Sequence, residues 1–246
     1  MKILVVDIET RPSMAYVWRL WDENVGIDQI VKSGEMISWA AKWHGEKEVL
    51  FASTFHDGRK KMVKGIWALL NEADAVVHWK GRTFDVPHIN AEFIKDGLTP
   101  PAPFHQIDLY ESAKREFNFV SNRLNYVAQL FDLGTKLEHE GFGLWVKCMA
   151  NDPTAWERMK KYNIQDTVLT DKLYDILLPW IQRHPSHGAK QGIEDVCPQC
   201  GSTSLQRRGE AFTKTGSYAR YRCNKCGKWS RGVKRMSKTN IVEIGR

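Results

Sequence analysis

Residues 3–10 read Ile3-Leu4-Val5-Val6-Asp7-Ile8-Glu9-Thr10. Four apolar residues, three of them β-branched, predict a buried strand. A strand has a side-chain period of two, so Asp7 and Glu9 point to one face. Two like charges at the end of a buried strand are costly unless a cation sits between them. Carboxylate oxygens are preferred ligands of Mg²⁺ or Mn²⁺. Read alone, the stretch also suits a strand end with two solvated acids. A metal site here needs further carboxylates from elsewhere in the chain.

Outward from this strand, Met36–His44 and Lys47–Ser53 predict two more strands joined by a turn at Gly45-Glu46. With residues 3–9 they make a three-stranded antiparallel meander. Residues 13–34 carry Trp18 and Trp21 without a clean period and read as irregular structure or a short helix. Met62, Val63, Ile66, Leu69 and Leu70 recur at helical spacing, and Ala75–Trp79 is a fourth strand. This order implies an α/β fold, a mixed sheet flanked by helices.

The fourth strand leads into His78-Trp79-Lys80-Gly81-Arg82-Thr83-Phe84-Asp85-Val86-Pro87-His88-Ile89. Asp85 stands at a helix start, where it can cap, ligate a metal, or do both. Ile89, Phe93 and Ile94 are the expected buried face of that helix. Thr99-Pro100-Pro101-Ala102-Pro103 is a stiff connector. Asp108 reads as a cap after a short strand. Leu124–Leu133 reads as a helix stopped at Gly134, and residues 135–144 as a charged, glycine-rich loop. A long helix starts at Asp152-Pro153-Thr154 and runs to Ile181. Tyr162 and Asp166 lie four apart on one face of it, which a purely structural pair would also explain.

The net charge of +7 is unevenly placed. Residues 195–246 hold 12 Lys/Arg and 3 Asp/Glu, a balance of +9, leaving 24 basic and 26 acidic residues, or −2, for residues 1–194. A basic module on a mildly acidic body points to a polyanionic partner or to a solubilising face. No apolar run approaches the ~20 residues that span a bilayer, and no signal-peptide pattern opens the sequence. The expectation is a cytoplasmic protein with no membrane partner.

Cys197-Pro-Gln-Cys200-Gly is followed after 22 residues by Cys223-Asn-Lys-Cys226-Gly. Two such knuckles match a structural four-cysteine Zn²⁺ site in a small zinc ribbon. Cys148 stands alone and reads as a packing residue. Between and after the knuckles, Tyr218, Tyr221 and Trp229 alternate with basic residues, a pattern suited to phosphate contact and base stacking. Core packing is the expected role of Tyr221 and Trp229. The polar linker 183–194 separates residues 1–182 from the ribbon, 195–246.

With Asp7/Glu9, Asp85 and Tyr162/Asp166 in order, residues 1–182 resemble the DEDDy branch of the DEDD 3′–5′ exonucleases, similar to the proofreading domain of family B DNA polymerases. The resemblance implies a ribonuclease H-like fold. It implies that Asp7, Glu9, Asp85 and Asp166 hold two Mg²⁺ or Mn²⁺ ions and that Tyr162 orients the attacking water. The implied activity removes 5′-mononucleotides from the 3′ end of single-stranded or frayed DNA. The family usually carries an Asn shortly before Phe-Asp, and Lys80 fills that place here. Thr10, Lys80 and Phe84, with Arg207, Arg208, Arg220 and Arg222 of the ribbon, are the expected nucleic-acid contacts. The alternatives are an exoribonuclease and a non-catalytic nucleic-acid-binding or assembly module. A replication or repair protein docked on the ribbon is a further expectation.

Overall fold

The computed structural model of the chain describes residues 1–134 and 141–241. Strand β1 (Ile3–Thr10) lies at the centre of a five-stranded sheet with β4 (Met36–Trp43), β5 (Leu50–Ser53), β6 (Ala75–His78) and β7 (His105–Asp108), in the order β5-β4-β1-β6-β7. The β1/β4 and β4/β5 pairs are antiparallel, and the β1/β6 and β6/β7 pairs parallel. The meander and the fourth strand therefore form as the hydrophobic pattern predicts.

The period of two in β1 sends Leu4, Val6 and Ile8 to one face, and Ile3 and Val5 are buried as well. Leu4, Val6 and Ile8 pack with Trp39 and with Met62, Val63, Ile66 and Leu70 of α1 (Arg59–Glu72). Helix α2 (Asp85–Lys95) adds Ile89 and Phe93 to this core. Ile94 does not join them: it is 79% exposed, and the buried position beside Phe93 belongs to Glu92, ion-paired with Arg59. A step of one residue turns a helix by about 100°, enough to move Ile94 off the buried stripe.

On the opposite face lies the long helix α6 (Pro153–Leu177). Asp152 Oδ1 caps it by accepting from Thr154 N at 2.8 Å. Ser38 Oγ donates to Asn163 Oδ1 at 3.0 Å, Thr167 Oγ1 donates to the Ala40 carbonyl at 3.3 Å, and Lys42 pairs with Asp171. Every second residue of β4 thus meets every fourth residue of α6. The rises agree, roughly 6.8 Å along the strand and 6.0 Å along the helix. This match sets which residues of α6 reach β1.

Asp108 caps α3 (Leu109–Glu116), and α4 spans Leu124–Leu130. Residues 135–140 of the expected loop 135–144 lie outside the described residues; from Phe142 the chain is helical again as α5 (Phe142–Met149). Cys148 is buried there beside Trp156 and Met159. Residues 13–34 contain two short strands, β2 (Met14–Ala15) and β3 (Ile30–Lys32), paired with each other. Trp18 and Trp21 are 95% and 80% exposed, so no buried face imposes a period on this segment.

The chain divides into two compact units, Lys2–Tyr174 and, with Met1, Asp175–Arg246. The second contains the short helix α7 (His187–Gln191) and a three-stranded antiparallel sheet of β8 (Leu205–Thr213), β9 (Gly216–Cys223) and β10 (Trp229–Lys238), with β9 in the middle. Among the described residues, no helix is long and apolar enough to cross a membrane.

Candidate active site

In the first unit the carboxyl ends of β1, β6 and β7 lie side by side, the usual place for a ligand site in an α/β sheet. Asp7 is half-buried, opposite Ala40 of β4, and Glu9 follows opposite Ser38. Asn163, fully buried on α6, donates from Nδ2 to Asp7 Oδ2 at 2.6 Å and to the Asp7 carbonyl at 3.1 Å. One side chain thereby fixes both the backbone and the carboxylate of Asp7. Three residues further along α6, Asp166 is buried and shares a cavity with Asp7.

That cavity has a volume of about 700 Å³. Its wall also includes Lys80, Trp79, Tyr110, Asn122 and Arg123. Glu9, Asp85 and Tyr162 are not on this wall. Tyr162 is half-buried, its ring edge-on to Trp145 with centroids 6.1 Å apart.

Asp85 is the first residue of α2, not its cap; Phe84 holds the cap position and is 41% exposed. The Asp85 carboxylate instead reaches β1, where Oδ1 accepts from Ile8 N at 3.1 Å, one residue from Asp7. Burial pushes its pKa up to about 6, against the opposing pull of His78 and the Ile8 amide. Among the described residues, no three of the carboxylates of Asp7, Glu9, Asp85 and Asp166 bring their oxygens within 4.8 Å of one another. A buried acid that resists ionisation, held one residue from Asp7, would gain its missing countercharge from a hard divalent cation. Asp7, Glu9, Asp85 and Asp166 are all oxygen donors, as Mg²⁺ or Mn²⁺ requires.

Lys80 is presented by a turn with an unusual backbone. Its φ of +68° lies in the left-handed region, costly for a side-chain-bearing residue. Asp108 holds the turn: Oδ1 accepts from Lys80 N at 3.0 Å and Oδ2 from Arg82 N at 3.1 Å, while the same carboxylate caps α3 through Tyr110 N at 3.0 Å. Burial opposes ionisation of Asp108, but His78 and these amides outweigh it and hold its pKa low. Gly81 is required sterically, since a Cβ there would lie 2.5 Å from His78 Cγ. The Lys80 ammonium ends over the Tyr110 ring, 5.7 Å from its centroid. Sequence reading identified Asp108 as a cap but not as this clasp. It also passed over Asn163, although that residue stands inside the Tyr-x-x-x-Asp motif.

In the second unit the four cysteines come together. Their sulfurs lie within 4.8 Å of one another, the one such group of potential metal ligands among the described residues. Cys197 and Cys226 Sγ are 3.7 Å apart, and Cys200 and Cys223 Sγ 3.6 Å. A tetrahedron of Zn–S bonds of about 2.3 Å places sulfurs about 3.8 Å apart, so the set fits one Zn²⁺. Burial raises the Cys223 thiol, but the backbone amides of Cys226 and Lys225 outweigh it and hold its pKa at about 7. Gly201 and Gly227 follow the knuckles with φ of +71° and +80°, a left-handed conformation that glycine adopts without a side-chain clash. Gln199 and Lys228 tie both knuckles to the Ile181 carbonyl, each at 2.9 Å. Trp229 does not pack a core as expected; it is 49% exposed at the sheet surface.

A family model of the RNase H superfamily matches residues 33–178. Asp85, Tyr162 and Asp166 fall inside this span and Asp7 and Glu9 before it. Among solved structures, the chain is similar to the family B DNA polymerase from the hyperthermophilic archaeon Pyrobaculum calidifontis, with a TM-score of 0.54 and 18% identity. The match covers 72% of this chain and 24% of the polymerase chain, about a quarter of that protein's length. Comparison with curated protein sequences gives no match.

Proposed function

The chain belongs to the RNase H superfamily, and from that premise we propose a metal-dependent 3′–5′ exonuclease of the DEDDy type, acting on single-stranded or frayed DNA ends. The observation that carries this reading is the cavity shared by Asp7, Asp166 and Lys80, with Asp7 fixed by Asn163. Asp7, Glu9, Asp85 and Asp166 would hold the divalent ions, Mg²⁺ or Mn²⁺. When bound, such ions acidify a water and neutralise charge on the scissile phosphate. Tyr162 orients the attacking water. Lys80 offers its ammonium to a phosphate oxygen in place of the amide usual in such enzymes. Trp79 and Tyr110 offer ring faces to the terminal base. The product is a 5′-mononucleotide. Residues 1–182 form the nuclease, 183–194 the linker, and 195–246 a ribbon built on one Zn²⁺.

The test is degradation of 5′-labelled single-stranded DNA and a matched RNA with Mg²⁺ or Mn²⁺, beside Asp7→Ala and Asp166→Ala. A ladder that shortens from the 3′ end and disappears in both variants is expected, with DNA cut faster than RNA. Intact substrates with the wild-type protein would overturn the nuclease reading. Faster loss of RNA would overturn the assignment of DNA.

A further inference from the structure

The three-stranded sheet of the second unit has one face unlike the other. On β9, Tyr218, Arg220 and Arg222 alternate and so share a side. Their partners on β10 are Arg235, Arg231 and Trp229. Directly paired residues of an antiparallel sheet project to the same face, so four guanidinium groups and two aromatic rings are collected there. The contacts agree with the register. Arg220 lies over the Trp229 ring, 5.1 Å from its centroid, and Arg231 over Tyr218 at 4.1 Å. Hydrogen bonds from Arg235 and Arg231 hold the half-buried Tyr218 phenol below its ordinary pKa.

This arrangement opposes sheet stability. Arg220 and Arg231 are directly paired like charges, both exposed. Glu210 is the only acid between residues 205 and 238, and its partner is Ala219, whose side chain is on the other face. The face has no carboxylate of its own to offset its charge. The reverse face differs: Arg207 pairs with Tyr221, Tyr221 with Ser230, and Ser217 Oγ meets Ser237 Oγ at 2.7 Å.

We propose that the face formed by Tyr218, Arg220, Arg222, Trp229, Arg231 and Arg235 binds single-stranded nucleic acid, its phosphates lying between the guanidinium groups and its bases stacking on the rings. Unpaired bases are required because stacking on a ring or a guanidinium plane needs an exposed base face. The inference rests on the reading of the chain as acting on nucleic acid; it keeps Arg220 and Arg222, adds Trp229, Arg231 and Arg235 of β10, and leaves out Arg207, which is on the reverse face.

The experiment measures binding of a short fluorescein-labelled single-stranded DNA by the full chain carrying Asp166→Asn, without Mg²⁺, across about 50–200 mM salt. Cleavage is not read, so a failure of the nuclease reading leaves this measurement intact. Adding Arg220→Gln with Arg231→Gln should weaken binding at least about tenfold and reduce the salt slope by about 1.4, at about 0.7 per lost phosphate contact. Adding Trp229→Ala should weaken it about 5- to 100-fold with the slope unchanged. Arg207→Gln with Lys225→Gln, which removes the same charge away from this face, should cost less than about threefold. Unchanged zinc content and far-UV dichroism identify the variants that keep the ribbon folded. Equal losses from the two double variants, or no loss from folded Trp229→Ala, would overturn the proposal.

Discussion

Replacing Asp85 by asparagine should stabilise the metal-free protein while destroying its response to divalent ions. The Asp85 carboxyl has a pKa raised by burial from 3.8 to about 6. Between these values the folded protein keeps a proton that the unfolded chain has lost, so stability falls as pH rises through the window. At neutral pH the ionised group costs roughly 3 kcal/mol, about two pH units at about 1.4 kcal/mol each. The carboxamide of the variant would keep an oxygen for the Ile8 amide and carry no charge. We expect Asp85→Asn to gain about 1–3 kcal/mol near pH 7, or roughly 3–10 °C in melting temperature for a unit of this size. The gain should vanish near pH 4, where the wild-type carboxyl is largely neutral too. Adding Mg²⁺ or Mn²⁺ should raise the wild-type midpoint by mass action and leave the variant unmoved. Thermal unfolding followed by near-UV dichroism, at several pH values with and without Mg²⁺, reads all three effects. A variant less stable than wild type at neutral pH without divalent ions, or equally stabilised by Mg²⁺, would refute the reasoning.

Asn163→Ala removes two donated bonds to Asp7, at 2.6 and 3.1 Å, and leaves the Ser38 hydroxyl without its acceptor. The expected loss is about 3–5 kcal/mol in denaturant unfolding, with a ten- to hundredfold drop in divalent-ion affinity, roughly the effect of losing a group that orients a ligand; calorimetric titration with Mn²⁺ checks the second. Burial opposes ionisation of Asp171, yet the bonds from His44 and Lys42 prevail and hold its pKa below 3.8. Its contribution is therefore present above that pH and lost as the pH falls through the lower folded value. Asp171→Asn should flatten the acid limb of a stability–pH curve and cost about 3 kcal/mol at neutral pH, since Lys42 would stay buried without its partner.

The fold was most legible where one property dominated. The apolar start of β1, the helical spacing of apolar residues in α1 and the paired cysteines each have a single physical explanation. Asp85 shows the limit: its place at a helix start was readable, but its reach to the Ile8 amide depends on the parallel course of β1 and β6. Asn163 looks like any polar helix residue until the match between α6 and β4 sets it against Asp7. Ile94, expected on the buried face, is exposed, and Glu92 is buried where Arg59, on another helix, neutralises it. Trp229 was assigned to a core from its place beside a cysteine knuckle; the pairing of β9 with β10 puts it among arginines.

The four-cysteine cluster bears on how the protein can be assayed. EDTA, the common quench for nucleases that use Mg²⁺, also competes for thiolate-bound zinc, because binding there requires the same free ion. Loss of activity in EDTA would therefore mix two events in two parts of the chain. The order of add-back separates them. Recovery with Mg²⁺ alone would report on the carboxylates of the first unit. Recovery that needs Zn²⁺ before Mg²⁺ would report a ribbon that had come apart and been rebuilt.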